Sequence, residues 1–161
     1  CTMELTLSAA LAFLSQHPFL VAFLVFLAYQ KYKASLPFPE SGGRVTSIHS
    51  EEEWAKAKAS ATPCVVDFYA TWCPPCRAIA PVYGEISTAH PRVDFYKVNV
   101  DEVRSVAQEC GIRAMPTFKL FIKGVETGSV EGASRHSIEG MIAKAGLSGG
   151  AASGVEDEKS D

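Results

Sequence analysis

No arginine precedes Arg44, and no charged residue interrupts residues 5–30. The first absence argues against a mitochondrial transit peptide, which needs arginines early. An excess of positive charge is also missing: 15 Lys and Arg stand against 18 Asp and Glu, for a net charge of −3. Residues 148–161 hold Glu156, Asp157, Glu158 and Asp161 against a single Lys159, so the remainder is close to neutral. No basic patch argues for nucleic acid as a partner. Cysteine is scarce and odd in number, at Cys1, Cys64, Cys73, Cys76 and Cys110. Only one pair is closely spaced, which excludes a small disulfide-stapled scaffold. The histidines, His17, His49, His90 and His136, are isolated from one another. There is no internal repeat.

What is present divides the chain into four regions. Residues 1–35 are an apolar segment, and residues 36–43 (Leu-Pro-Phe-Pro-Glu-Ser-Gly-Gly) have the turn residues of a linker. Residues 44–147 read as one domain. Residues 148–161, built from Gly, Ala, Ser and acids, lack the apolar side chains to offset their ordering entropy, so disorder is expected there.

Within the domain, strand and helix signals alternate. Residues 44–48 read as a short strand. Ser50 followed by Glu51, Glu52 and Glu53 is an N-cap with an acidic first turn, opening a helix to about Ala59. Residues 64–70 are a dense apolar run with one carboxylate, as expected of a buried central strand. A helix should follow Cys76 to about Ala89, kinked by Pro81. Residues 93–100 alternate like a strand, residues 102–110 form a short helix ended by Gly111, and residues 117–123 and 125–130 form a hairpin around Gly124. An amphipathic helix at 134–145 closes the domain. The order βαβαβαββα requires parallel pairing in the strand–helix–strand units and antiparallel pairing in the hairpin. The expected class is α/β, a mixed central sheet flanked by helices.

The chemistry-bearing signal is Trp72-Cys73-Pro74-Pro75-Cys76 between a buried strand and a helix. Disulfide exchange needs a thiolate, and a free thiol is mostly protonated at neutral pH. The N-terminus of the following helix offers unpaired N–H groups and the positive end of its dipole to Cys73. The spacing lets Cys76 reach back to it, and proline costs little in a first helical turn. The competing readings are an inert pair and half of a zinc site. Zinc would need a second Cys/His pair, which the scattered histidines do not offer, so no metal is expected.

These residues carry a resemblance to the thioredoxin family. It rests on Val66-Asp-Phe-Tyr-Ala-Thr-Trp-Cys-Pro-Pro-Cys76, Pro81, Lys97-Val-Asn-Val-Asp101, Gly111-Ile-Arg-Ala-Met-Pro-Thr-Phe118 and Gly132-Ala133. It covers residues 44–146. The Pro-Pro pair resembles some plant h-type members, where the usual pair is Gly-Pro, and puts the reduction potential in question, not the reaction. The resemblance implies a thioredoxin fold and a protein-disulfide reductase that uses Cys73 and Cys76 as a redox-active disulfide. No bound cofactor is implied. The implied partners are disulfide-containing proteins and a thioredoxin reductase that returns electrons.

The resemblance also gives roles to single residues. Asp67, which alone reads either as a buried acid or as a strand-end residue facing water, is implied to relay the proton of Cys76. Lys97 is implied to lie near that carboxylate. Met115-Pro116 is similar to the family's cis-proline peptide, and Trp72, Pro74, Pro75, Met115, Pro116, Gly132 and Ala133 would line a substrate groove. Cys110 stands where animal thioredoxins carry a regulatory cysteine. Cys64 reads as a packed apolar residue.

Residues 5–29 are long enough to span a bilayer as a helix, although Gln16-His17-Pro18 splits them and residues 19–29 cover only about half of one. Glu4 lies before this segment and Lys31 and Lys33 after it, so the expectation is a membrane anchor with the domain facing the cytoplasm. A secretory signal, lacking a basic start and a cleavage site, and a soluble helix are the alternatives. Two other classes of function stay open: a secretory-pathway oxidase or isomerase, and a membrane-tethered adaptor that binds without catalysis.

Overall fold

The computed structural model describes residues 16–35 and 37–147. The expected disordered tail at 148–161 and the first half of the apolar segment lie outside the described residues. Two compact units divide the chain, the second beginning at Phe38.

In the first unit, helix α1 spans Pro18–Ser35. Proline suits its first turn, where a missing N–H leaves nothing unpaired. Phe19, Phe23, Leu24, Val25, Phe26 and Leu27 are all exposed on it, and Lys31 follows in its last turns. The expected transmembrane helix is not found: among the described residues no helix is long and apolar enough to cross a membrane. The physical reason is length. The uncharged apolar stretch within α1, residues 19–29, rises only about 16 Å against a hydrocarbon core of about 30 Å.

In the second unit, β1 (Val45–Ile48), α2 (Glu51–Ala59), β2 (Cys64–Tyr69), α3 (Pro74–Ala89), β3 (Asp94–Asn99), α4 (Arg104–Glu109), β4 (Thr117–Ile122), β5 (Val125–Glu131) and α5 (Arg135–Lys144) follow in order. Among the described residues the five strands form one sheet in the order β1-β3-β2-β4-β5. β1 and β2 pair parallel to β3, β4 pairs antiparallel to β2, and β5 pairs antiparallel to β4. This is the thioredoxin fold, and the expected element order and mixed sheet are both observed. The ends of elements differ from the sequence reading by no more than two residues, except that α3 begins at Pro74, three residues ahead of the expected start after Cys76.

Side chains alternate across the sheet, because successive strand residues point to opposite faces. Val65 joins Tyr83, Ile86, Phe95, Phe118, Leu120, Ile138 and Ile142 in one core. Val66 and Phe68 join Ile48, Trp54, Val98, Val106 and Phe121 in the other. Each large apolar side chain so enclosed contributes about 1.5–3 kcal/mol. Asp67 follows the parity of Val65, and β2 is buried along its whole length. The sheet therefore carries a carboxylate to its very centre.

Residues 38–43, read above as a linker, pack onto this unit as a strap. Phe38 stacks on Tyr69 with ring centroids 4.5 Å apart. Ser41 is buried, and a side chain on Gly84 of α3 would be driven into its carbonyl oxygen. Only glycine at position 84 lets strap and helix touch backbone to backbone.

Candidate active site

β2 ends at Tyr69, and a three-residue turn leads to Cys73, the N-cap of α3. The turn is closed by the Cys73 N–H donating to Ala70 O at 3.2 Å. Pro74 and Pro75 occupy the first two helical positions, where both are exposed. Cys73 and Cys76 form a disulfide with their Cα atoms 5.3 Å apart. The backbone N–H of Cys76 donates to Cys73 Sγ at 3.3 Å, so the start of the helix already points a donor at the sulfur that would carry charge after reduction. Both cysteines are buried.

Asp67 lies on β2, the strand that leads into the Cys73 turn, with 1% of its surface exposed. Burial pushes its carboxyl up to about 8, and the nearby Lys97 ammonium offsets this only in part. The two residues are register partners on β2 and β3. Among the described residues Asp67 Oδ1 has no hydrogen-bond partner. A buried carboxylate in that position is costly, and protonation removes the cost. Asp67 can thus exchange a proton in the range where thiols titrate. Lys97 is itself buried against the ring of Tyr69, with Nζ 5.9 Å from the ring centroid. Burial also pushes the Tyr69 hydroxyl up to about 12.

Three loops converge above the sulfurs. The Met115–Pro116 peptide is cis, and Met115 O lies 3.7 Å from Cys73 Sγ. Gly132, at φ +91°, donates its N–H to Pro116 O at 2.8 Å, which brings Gly132 and Ala133 beside that peptide. Trp72 is 58% exposed, yet its Nε1 donates to Asp101 Oδ2 at 2.8 Å. The structure therefore gathers Trp72, Cys73, Met115, Pro116 and Gly132 around one end of the sheet. Pro81 does not join them; it lies inside α3, where its own ring is exposed.

Cys110 caps the C-terminus of α4 and is half-buried. Its thiol is pushed up to about 11, by burial first and by Glu109 second, which keeps it protonated near neutrality. Cys64 is fully enclosed at the start of β2 and is likewise pushed up to about 11, chiefly by burial. Among the described residues no group of three or more His, Cys, Asp or Glu could hold a metal ion.

Asp101, Tyr83, Phe38 and Glu40 were not singled out as site residues by sequence reasoning. Asp101 ends the Lys97–Asp101 run, so its signal was present but carried no stated role. Tyr83 sits in α3, and its one hydroxyl hydrogen is shared between Val65 O (2.9 Å) and Tyr96 O (3.0 Å), which ties the helix to the two strands that present Asp67 and Lys97.

A family description, Thioredoxin, matches residues 45–144. A thioredoxin H-type of Brassica oleracea is 45% identical over 107 residues, covering 63% of this chain and 86% of that protein. Thioredoxin Asp f 28 of Aspergillus fumigatus is 52% identical over 103 residues, covering 63% and 94%. Among solved structures, thioredoxin NaTrxh of Nicotiana alata superposes with a TM-score of 0.60 at 42% identity, covering 64% of this chain and 93% of that one. With fold, disulfide and sequence in agreement, the chain belongs to the thioredoxin family and is a thiol–disulfide oxidoreductase with its redox pair at Cys73 and Cys76.

Proposed function

We propose that the chain reduces protein disulfides through Cys73 as nucleophile, Cys76 as resolving thiol and Asp67 as proton acceptor. The observation that supports this is a disulfide whose first cysteine is a helix N-cap and whose second lies three residues further in, on the helix that follows a strand holding a buried carboxyl pushed up to about 8. The Cys73 thiolate attacks one sulfur of a substrate disulfide, forming a mixed disulfide and expelling the other substrate sulfur as a thiolate. Cys76 gives its proton to Asp67 and attacks Cys73 Sγ. That closes the Cys73–Cys76 disulfide and releases the second substrate thiolate. Two electrons pass from the dithiol to the substrate, and members of this family are recycled by a thioredoxin reductase. The electrons reside in the two sulfurs, so no bound cofactor enters the cycle.

Trp72, Pro74, Pro75, Met115, Pro116, Gly132 and Ala133 form the docking surface in this reading. The backbone of Met115, so close to Cys73, suits an extended substrate segment that pairs as an added strand would. A Cys76→Ser variant tests the assignment. It should accumulate mixed disulfides with substrate proteins that dissolve on reduction. Partners that survive reducing agent would instead favour an adaptor.

We further infer that α1 brings the chain to the surface of a membrane. Its Phe19, Phe23, Leu24, Val25, Phe26 and Leu27 are exposed, and the lysines at sequence positions 31 and 33 suit the anionic cytoplasmic leaflet. The full chain should float with anionic vesicles, and a Phe23→Glu, Phe26→Glu double variant should not. Equal recovery of both with the vesicles would refute the inference.

A further inference from the structure

The strap at residues 38–43 ends its outward face on a charge that meets the site from the side. Glu40 Oε2 lies 3.7 Å from Lys97 Nζ. The two side chains differ sharply in environment: that of Lys97 is 9% exposed and that of Glu40 is 92% exposed. Lys97 therefore stands between a buried carboxyl, its register partner Asp67, and a solvated one, Glu40. The backbone of the strap is not free to drift. Phe38 is stacked on Tyr69, with the Arg77 guanidinium 5.7 Å above the Phe38 ring. Ser41 abuts Gly84, and the Arg44 N–H donates to Ser87 Oγ at 2.8 Å. Both anchor points on α3 belong to the helix that carries the cysteines.

We propose that Glu40 is a positioning residue for disulfide exchange: by pairing with Lys97 it holds the ammonium back from Asp67 and so sets how readily that buried carboxyl gives up its proton. This rests on the reading of Asp67 as proton acceptor given above. The ionisable groups around Asp67 are Lys97 of β3, Tyr69 of its own strand, Tyr83 of α3, in the proposed cycle Cys76 of α3 once it is reduced, and, beyond Lys97, Glu40; its β4 neighbour, Phe118, is apolar. Tyr69 and Tyr83 are held protonated by burial, which leaves Lys97 and Glu40 as the charges that decide the balance. Removing the Glu40 charge leaves the ammonium wholly to Asp67, which favours the ionised carboxyl and shifts its titration to lower pH. Because Glu40 is solvated, its influence should fade with added salt.

The test is the titration of the Asp67 carboxyl carbon by NMR in the oxidised full-length protein, where neither Cys73 nor Cys76 titrates, together with the pH profile of disulfide reduction. Glu40→Gln should raise the acid-dissociation constant of Asp67 about twofold at low salt, with a smaller effect at high salt. Phe38→Ala, which loosens the strap, should act in the same direction. Lys97→Gln should act in the opposite direction, and Glu40→Gln should add nothing to it. A titration unmoved by Glu40→Gln, or moved equally with Lys97 absent, overturns the proposal. A titration that moves as stated while the rate profile stays fixed upholds the strap and counts instead against Asp67 as proton acceptor.

Discussion

The indole Nε1 of Trp72 donates to Asp101 Oδ2 at 2.8 Å, so the aromatic ring beside Cys73 is held upright by a carboxylate from the loop after β3. An exposed tryptophan would otherwise sample several rotamers, and substrate would have to order it on docking. Asp101→Ala should therefore raise KM for a protein disulfide about threefold to tenfold with little change in kcat. Steady-state kinetics at fixed pH read this directly.

Asp67→Asn should slow reduction while stabilising the oxidised protein. The carboxyl is raised by burial from its usual range to about 8. Between those two values the native state holds a proton that the unfolded chain has lost, so Asp67 costs stability progressively as pH rises from about 4 to 8. The stabilising effect of the amide should be small near pH 4 and reach on the order of 5 kcal/mol by pH 8, at about 1.4 kcal/mol per pH unit. Denaturant midpoints across that range give the slope, and an effect constant with pH would exclude this cause.

Tyr83→Phe removes a buried hydroxyl that bonds two carbonyls, Val65 O and Tyr96 O. It should cost about 1–3 kcal/mol of stability while leaving the ring contacts with Phe95 and Phe118 in place. Urea unfolding at constant m-value tests it.

Gly84→Ala pushes a methyl group into the Ser41 carbonyl, backbone that cannot turn aside. A loss of about 1–3 kcal/mol is expected. Hydrogen exchange should show faster opening at residues 38–44 than in β2.

Most of this molecule was legible in the sequence because its signals are local. The acidic first turn after Ser50 gives α2, with the Ser50 side chain capping Glu53 N at 3.2 Å, and the buried run at 64–69 gives the central strand. Cys73 and Cys76 declare themselves by spacing, and Met115-Pro116 by resemblance. What stayed hidden depends on contacts between distant residues. Glu40 lies far from Lys97 in sequence, and nothing in Leu-Pro-Phe-Pro-Glu-Ser-Gly-Gly distinguishes a strap from a linker; the signal lay in Gly84, which permits the contact. Asp101 acts through a side chain 29 residues away. The membrane anchor expected over residues 5–29 is not supported: among the described residues no helix is long and apolar enough to cross a membrane, and residues 5–15 lie outside them.

The most direct test of the account is multiple-turnover reduction of a protein disulfide by the full chain, supplied with a small dithiol as electron donor. The wild-type chain should accelerate reduction well above the rate of the donor alone, and Cys73→Ser should fall back to that background. Turnover by Cys73→Ser at the wild-type rate would contradict dithiol–disulfide exchange at Cys73 and Cys76.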